Sequence, residues 1–377
     1  MKVGVISGSV EAGGAQRVCL KIIEALKEAN HQVALITLTK TDWPKVEKTL
    51  GKITKPDEEI VLLKRNFSGF DVYKPLLAAV MVPYIKRKFN IKMLINSQAD
   101  TLPINSDILY VHYPTFSEFE KVDINKKYSR SIFWRVYISL FKLLHYFFAN
   151  YLKSGILVTN SNYSKKAIRK YVDSSCFVIY PPVEVNAFAK ATFNSERQNK
   201  VVSCGRYSPE KNYENVIEVA KGLKDVDFAV VGSFSGKKSL NYYKKLCSTL
   251  SAQKLVNVDL LKAVEFNDLL QLYGKSKIYL HSMKDEHFGI VVVEAMAAGL
   301  VPVVFQGGGP WEDILKAKQG HYGFSYKTSA EAISIIEMLL ANENLRREIA
   351  ERNISYTKEF SDDVFKEKFI KLFDKLA

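Results

Sequence analysis

Cysteine is scarce in this chain: four in 377 residues, at Cys19, Cys176, Cys204 and Cys247, with no CxxC pair among them. Histidine is nearly as sparse, at six, and it is not clustered. These absences exclude a zinc site and a disulfide framework, and they make a reducing cytoplasm the expected compartment. No uncharged apolar run reaches the roughly 18 residues that a membrane-spanning helix needs. The opening Met1-Lys2-Val3-Gly4-Val5-Ile6 runs into a strand pattern and not into a signal peptide. No repeat of fixed period and no low-complexity tract is present.

What is there is ordinary globular protein with a cationic bias. Apolar residues make up 47% of the chain and charged ones 25%, which speaks against disorder. At 377 residues the chain is too long for one core and suits two domains. The balance of 54 basic against 40 acidic residues gives +14, which favours anionic partners. Nucleic acid, phosphorylated metabolites and anionic membrane surfaces all fit that charge, and charge alone does not choose among them.

Short apolar runs alternate with amphipathic segments from the start. A strand at Val3–Ser7, a small-residue loop at Gly8–Gly14 and a helix to about Ala29 lead to a strand at Val33–Leu38. Apolar runs at Ile60–Leu63, Met93–Ile95, Ile108–His112, Ile156–Thr159 and Phe177–Tyr180 continue the series, with helices at about Tyr73–Phe89 and Ser164–Tyr171. Tyr180-Pro181-Pro182-Val183 then marks a boundary, because paired prolines end regular structure. The pattern restarts with strands at Val201–Cys204 and Phe228–Val231 and a helix at Tyr213–Leu223. Strands alternating with helices predict a parallel sheet covered on both faces, in each half of the chain. Ligands bind such sheets at the carboxyl ends of the strands. The last segment, Ser361–Leu376, has Val364, Phe365, Phe369, Leu372 and Phe373 at helical spacing, and it is expected to cross back onto the first domain. The domains are thus expected at 1–183 with 357–377, and at 184–356.

One stretch departs from this alternation. Ile132–Leu152 carries eight aromatic residues, including Trp134 and Tyr151, and a narrow polar stripe at Arg135, Ser139 and Lys142, with Lys126, Lys127 and Arg130 just before it. It fits a core-lining helix. It also fits a helix lying in a membrane interface, with the basic residues toward anionic headgroups.

The chemistry concentrates in two segments of the second half. In Asp285-Glu286-His287-Phe288-Gly289-Ile290-Val291-Val292-Val293-Glu294-Ala295-Met296-Ala297-Ala298-Gly299, two glutamates stand eight apart around a glycine turn. The apolar strands on either side place Glu286 in a strand-to-helix loop and Glu294 inside the following helix. The amides of Phe288, Gly289 and Ile290 fall at the helix N-terminus, where an anion is favoured. A carboxylate on each side of an anion site suits a diphosphate flanked by hydroxyl groups, as in a nucleotide sugar. Cys204-Gly205-Arg206-Tyr207-Ser208-Pro209-Glu210-Lys211-Asn212 follows a strand, so Arg206 and Lys211 are placed to hold that diphosphate by charge-assisted hydrogen bonds. They would also stabilise the charge that grows on it as a leaving group.

Three other patterns are set aside on physical grounds. Asp225-Val226-Asp227 has the form of a DxD metal motif, but it lies at the entry to a strand, opposite the ligand edge. The paired glutamates suggest a glycoside hydrolase, yet a hydrolase has little need of a cationic diphosphate pocket. The Gly8–Gly14 loop lacks the GxGxxG spacing of a dinucleotide site.

Taken together, Gly205-Arg206 with Lys211-Asn212, Glu286-x7-Glu294 within EHFGIVVVEAMAAG, and Gly307-Gly308-Gly309-Pro310 resemble glycosyltransferase family 4 over nearly the whole chain. Within that family, Leu280-His281-Ser282-Met283 followed by Glu286-His287-Phe288-Gly289, and Tyr110-Val111-His112-Tyr113-Pro114-Thr115, are most similar to the α-1,2-mannosyltransferases that extend lipid-linked oligosaccharides. The resemblance implies an α/β fold of the GT-B type, with two facing Rossmann-like doubly wound domains, and retaining transfer of a hexose. The donor it implies is GDP-mannose and the acceptor a lipid-linked glycan. Glu286 would hold sugar hydroxyls and Glu294 the ribose. The amides of His287 to Ile290, with Arg206 and Lys211, would hold the diphosphate, and Gly13 and Gly14 would approach the donor from the first domain. His112 would contact the sugar at the transition state.

No metal and no cofactor is expected, and no nucleic-acid partner. The location expected is cytoplasmic, with peripheral attachment to the cytoplasmic face of a membrane if the aromatic stretch is interfacial. Leu260-Leu261-Lys262 stands where family members often have a glycine, which leaves a UDP-sugar open as donor. A catalytically silent partner subunit is the other alternative, and it predicts erosion of the diphosphate residues that this chain retains.

Overall fold

Runs of β-branched and other apolar residues form the strands, and nearly every strand residue in the middle of both sheets is buried, as expected for parallel sheets covered on two faces. The structure is a computed structural model. It describes residues 1–10, 13–51, 53–63, 74–114, 139, 149–172, 175–193, 197–234, 236–262 and 264–376. The chain divides into two compact units, residues 1–182 with 363–377, and residues 183–362.

In the first unit the order is β1 (Lys2–Ser7), α1 (Gly14–Glu28), β2 (Gln32–Thr37), α2 (Trp43–Leu50), β3 (Glu58–Val61), α3 (Lys74–Lys88), β4 (Met93–Asn96), β5 (Ile108–Val111), β6 (Ile156–Thr159), α4 (Asn162–Ile168) and β7 (Cys176–Val178). The strands lie in the order β3-β2-β1-β4-β5-β6-β7 and every neighbouring pair is parallel. The chain therefore runs outward from β1 in one direction and returns beside β1 with β4. The β1/β4 edge is the topological switch point, where open α/β sheets leave a crevice. Val18, Ile22, Ile23 and Leu26 of α1 form the buried stripe that covers β1 and β2.

The second unit repeats the plan. Its elements are α5 (Val185–Ala189), β8 (Lys200–Arg206), α6 (Tyr213–Gly222), β9 (Asp227–Ser233), α7 (Gly236–Gln253), β10 (Val258–Lys262), α8 (Phe266–Lys275), β11 (Ile278–His281), α9 (Ile290–Ala297), β12 (Val301–Phe305), β13 (Phe324–Tyr326), α10 (Ser329–Ala341) and α11 (Glu343–Tyr356). The all-parallel order β10-β9-β8-β11-β12-β13 puts the switch point between β8 and β11.

The last helix, α12 (Asp362–Phe373), buries Phe365, Phe369, Leu372 and Phe373 in one cluster with Val18, Ile22 and Leu26 of α1, so the C-terminal segment packs on the first unit. The Lys366 ammonium seals this contact, lying 3.0 Å from Glu24 and 2.9 Å from Glu28.

Two sequence expectations shift. The third strand is Glu58–Val61 and not Ile60–Leu63. It is the edge strand of its sheet, and its acidic start is structural: the Glu59 carboxylate accepts from Thr41 N at 2.9 Å and Trp43 Nε1 at 3.1 Å. The helix expected at Ser164–Tyr171 begins earlier, because Ser161 caps it by accepting from Ser164 N, and it ends at Ile168.

Of the aromatic stretch Ile132–Leu152, only Ser139 and residues 149–152 are among the described residues. Its last two, Tyr151 and Leu152, are buried in one cluster with Ala99, Val111 and Leu157. Thr115, Lys126, Lys127, Arg130 and the helix expected across most of that stretch lie outside the described residues. Tyr73, at the start of the helix expected before Phe89, does too. Among the described residues, no helix is long and apolar enough to cross a membrane.

Candidate active site

The second unit's switch point gathers most of the residues singled out by sequence. β8 ends at Arg206, and a short 3-10 turn at Pro209–Lys211 follows. Asn212 then takes a left-handed conformation, φ 52°, which turns the chain into α6. β11 ends at His281, and a loop carries Glu286 to α9. The two loops leave adjacent strands and are tied together. The Ser282 hydroxyl donates to the Lys211 carbonyl at 2.7 Å, and Asn212 Nδ2 donates to the Ser282 carbonyl at 3.3 Å.

The glycine run after β12 holds the Glu286 loop from behind. Gly309 N donates to the Glu286 carbonyl at 2.8 Å. A Cβ on Gly308, at φ +70°, would stand 2.4 Å from that same carbonyl oxygen, so a larger residue would push the loop away. Gly289, at φ +96°, is the N-cap of α9 and turns the chain from the loop into the helix.

Within this frame the Lys211 ammonium forms an ion pair with the Glu286 carboxylate. Both side chains are largely sheltered, at 15% and 16% exposure. Burial alone would raise the Glu286 pKa, but Lys211 outweighs it with help from His281 and His287, and the carboxyl is held at about 2. Glu286 is therefore an anion at every physiological pH. That suits a group that accepts hydrogen bonds from hydroxyls.

Glu294 lies four residues into α9 and is buried, with Phe288 buried just before the helix. The amides at Phe288, Gly289 and Ile290 precede or open α9, in the place where a helix favours an anion. His287 is half-buried and lies near enough to Glu286 to help lower that carboxyl's pKa. Arg206 is the one predicted member of this group that the structure turns elsewhere. Its guanidinium is exposed and lies 3.7 Å from Glu210. Asp227 opens β9 and lies 3.8 Å from Lys200, at the amino ends of the strands and away from the site edge.

The first unit contributes a separate group. His112 directly follows β5. Its Nε2 is 3.0 Å from the Ser97 carbonyl, and since a carbonyl can only accept, Nε2 carries the proton and Nδ1 is the acceptor. Ser97 in turn donates from Oγ to the Ile6 carbonyl of β1, and Gly8 N donates to Gln98 Oε1 at 2.9 Å, so the β1, β4 and β5 ends are joined. Burial lowers the His112 pKa, opposed by the Asp100 carboxylate, and the ring is neutral at pH 7. Gly13 is the N-cap of α1 with extended backbone, φ 173°, and its carbonyl accepts from Arg17 N at 3.0 Å; Gly14 begins the helix. Residues 11 and 12 of that loop lie outside the described residues.

Three residues of the site carried no individual role in the sequence reading: Asn212, His281 and Ser282. His281 is buried at the carboxyl end of β11, with Nε2 3.8 Å from Glu286 Oε2. Its place at a strand tip five residues before Glu286 was the signal available.

Residues 184–356 match the family described as Glycosyl transferases group 1. A protein named GDP-Man:Man(3)GlcNAc(2)-PP-Dol alpha-1,2-mannosyltransferase, from Dictyostelium discoideum, is 24% identical over 416 residues, covering 95% of this chain and 81% of that relative. The human protein of the same name is 27% identical over 300 residues, covering 71% of this chain. The alignment covers 60% of the human protein's length. Among solved structures, Anabaena Alr3699/HepE in complex with UDP and glucose has the same fold, with a TM-score of 0.72 at 17% identity over 99% of each chain. The architecture is that of the GT-B glycosyltransferases, two Rossmann-like units with parallel sheets.

Proposed function

From the premise that residues 184–356 are a glycosyl transferases group 1 domain, we propose that the protein is a retaining hexosyltransferase that moves mannose from GDP-mannose to a lipid-linked glycan. The observation that carries this reading is the Lys211–Glu286 pair at the β8/β11 switch point, in front of the α9 N-terminus with Glu294 behind it. An ammonium and a row of amides suit a diphosphate, and carboxylates on either side suit a sugar and a ribose. The relatives named as GDP-mannose-dependent α-1,2-mannosyltransferases support the choice of donor and of acceptor class.

In this reading Glu286 accepts hydrogen bonds from hydroxyls of the transferred sugar, and Glu294 from those of the ribose. Lys211 turns to the diphosphate, joined by Arg206 once it leaves Glu210, and both charges stabilise the leaving group as the glycosidic bond breaks. Arg206 and Lys211 neutralise the diphosphate without a metal. The acceptor hydroxyl attacks the face from which the diphosphate departs. His112 has Nδ1 as its acceptor nitrogen, which suits the contact with a sugar hydroxyl that the family resemblance implies for it.

A membrane-proximal site of action is supported by α3. Its outer face carries Leu77, Val80 and Tyr84 at 49%, 67% and 66% exposure, followed by exposed Arg87 and Lys88. An apolar stripe ending in cations suits the interface of an anionic membrane. Flotation with vesicles containing phosphatidylserine is expected to carry the wild type and leave a Val80→Asp/Tyr84→Asp variant behind; equal recovery of both would refute this placement.

The enzymatic reading is tested by incubating the protein with labelled GDP-mannose and a polyprenyl diphosphate oligosaccharide ending in mannose. The wild type is expected to extend the acceptor with an α-linkage, and folded Glu286→Ala to do so hardly at all. Near-normal turnover by that variant would remove Glu286 from the site.

A further inference from the structure

His281 has an unexplained feature. It is 4% exposed, its ring stacks on Tyr279 at a centroid distance of 6.3 Å, and its Nε2 is buried without a hydrogen-bond partner. Leaving a buried polar atom unsatisfied costs on the order of 1–3 kcal/mol, so such an atom at a ligand site points to a partner present only in another state. The polar group facing it is Glu286, whose Oε2 lies 3.8 Å away, just beyond hydrogen-bonding reach. That same oxygen is the one paired with Lys211.

A diphosphate arriving at the site competes for the Lys211 ammonium. If the lysine turns to the ligand, Glu286 is left as a sheltered anion with no close partner, and such an uncompensated charge is strongly unfavourable. A small rotation of the carboxylate brings Oε2 within reach of the imidazole. We propose that His281 is a positioning residue: its Nε2–H takes over the Glu286 carboxylate when Lys211 engages the diphosphate, leaving the other carboxylate oxygen aimed at the sugar hydroxyls. The proposal rests on the donor-site reading above.

The strand geometry supports such a role. The His281 carbonyl accepts from Tyr326 OH at 3.2 Å, and the next residue, Ser282, is bonded to the Lys211 and Asn212 backbone and side chain. The imidazole is therefore held in a fixed place beside a carboxylate that has two possible partners. Burial lowers the His281 pKa to about 4 despite the nearby Glu286, so the ring serves as a neutral donor. A charged imidazolium would bind Glu286 before the ligand arrived and remove the exchange.

The test is nitrogen-15 NMR of the histidine rings in the full-length protein, titrated with GDP, UDP and inorganic pyrophosphate. The His281 signal, identified by its loss in His281→Gln, is expected to show the Nε2–H tautomer in the free protein. On saturation with GDP its proton should move downfield, and that movement should vanish in Glu286→Ala. A parallel titration should find the GDP dissociation constant raised about tenfold or more in His281→Leu, the loss of one hydrogen bond to a charged group, with transfer lowered alongside it and the melting temperature of the free protein unchanged. His281→Gln, which keeps a donor near the same place, should recover most of that loss.

An Nδ1–H tautomer, or a His281 signal unmoved by bound GDP, overturns the proposal while leaving the donor site intact. Equal loss in the glutamine and leucine variants, matched by a fall in melting temperature, makes His281 a packing residue and also overturns it. Failure of GDP, UDP and pyrophosphate all to bind the wild type overturns the donor-site reading and this proposal together.

Discussion

The carboxyl ends of the two sheets make an instructive pair. Both units have the same doubly wound plan with a switch point beside the first strand, at β1/β4 in one and β8/β11 in the other. In the second unit the switch point holds opposed charges: Lys211 and Glu286 are sheltered and paired, with His281 beside them. In the first unit the corresponding loops are joined by neutral hydrogen bonds: Ser97 to Ile6, His112 to Ser97, and Gly8 to Gln98. One plan thus carries a sheltered ion pair at one switch point and a neutral histidine at the other. The difference lies in the loop residues, as expected when function is carried by sites placed on a common scaffold.

The most damaging change to this contrast is Lys211→Ala. It removes the countercharge proposed for the diphosphate and leaves Glu286 without its ion pair, and transfer is expected to fall by about a hundredfold or more, the scale of losing one charge-stabilising donor. Steady-state kinetics at saturating donor would check it, and a loss under tenfold would mean that the charged switch point is not the donor site. His112→Asn is expected to cost less, about tenfold in kcat, as the loss of one hydrogen bond to the reacting sugar. Because burial lowers the His112 pKa, its titration falls below the ordinary histidine value. A step near pH 6.5 in the wild-type rate profile that His112→Asn abolishes would contradict that.

Arg206→Ala sharpens the comparison within the second unit, since Arg206 is exposed and turned to Glu210 while Lys211 is sheltered. Its effect should appear mainly as a several-fold rise in donor KM that shrinks with added salt, as for a screened surface charge; an unchanged KM at low salt would count against its place on the diphosphate.

The smallest expected effect concerns stability. Lys366→Met removes the ammonium shared by Glu24 and Glu28 and should cost about 1 kcal/mol, roughly 2–4 °C in melting temperature. Burial opposes both shifts, but the pairing prevails: Lys21 and then Lys366 lower the Glu24 pKa, and Glu28 and Glu24 raise that of Lys366. The carboxylate contribution is present above the unfolded carboxyl pKa of about 4.3 and is lost as pH falls through the depressed folded value. The lysine contribution is full below its unfolded pKa of about 10.4 and is lost as pH rises through the folded one. Wild type should exceed the variant from pH 5 to 9 and converge with it in acid, which thermal melts across that range would show.

Much of this was legible in the sequence for physical reasons. Buried parallel strands must be apolar on both faces, so runs such as Val201–Cys204 and Val301–Phe305 stand out, and strand-to-helix loops carrying Glu286 and Lys211 mark the ligand edge before any coordinates exist. The edge strand Glu58–Val61 was displaced because its two acidic residues, Glu59 bonded to the Thr41 loop and Glu58 paired with Lys2, read as a turn. His281 received no role because its meaning depends on distance: a buried ring nitrogen without a partner, beside a carboxylate that already has one, has no signature in composition or spacing. The partnership of Lys211 with Glu286 rather than Arg206 with Glu286 was equally invisible, since both cations follow the same strand.

The central claim is that the β8/β11 switch point binds a nucleotide sugar through Lys211 and Glu286. Thermal melting of the wild type and of Lys211→Ala with GDP-mannose, UDP-glucose and ADP-glucose tests it directly, because a ligand that binds only the folded protein raises its melting temperature. GDP-mannose is expected to raise the wild-type midpoint by several degrees, more than the other two sugars, and to leave Lys211→Ala nearly unmoved. An equal rise in the variant, or no rise with any of the three, would contradict the account.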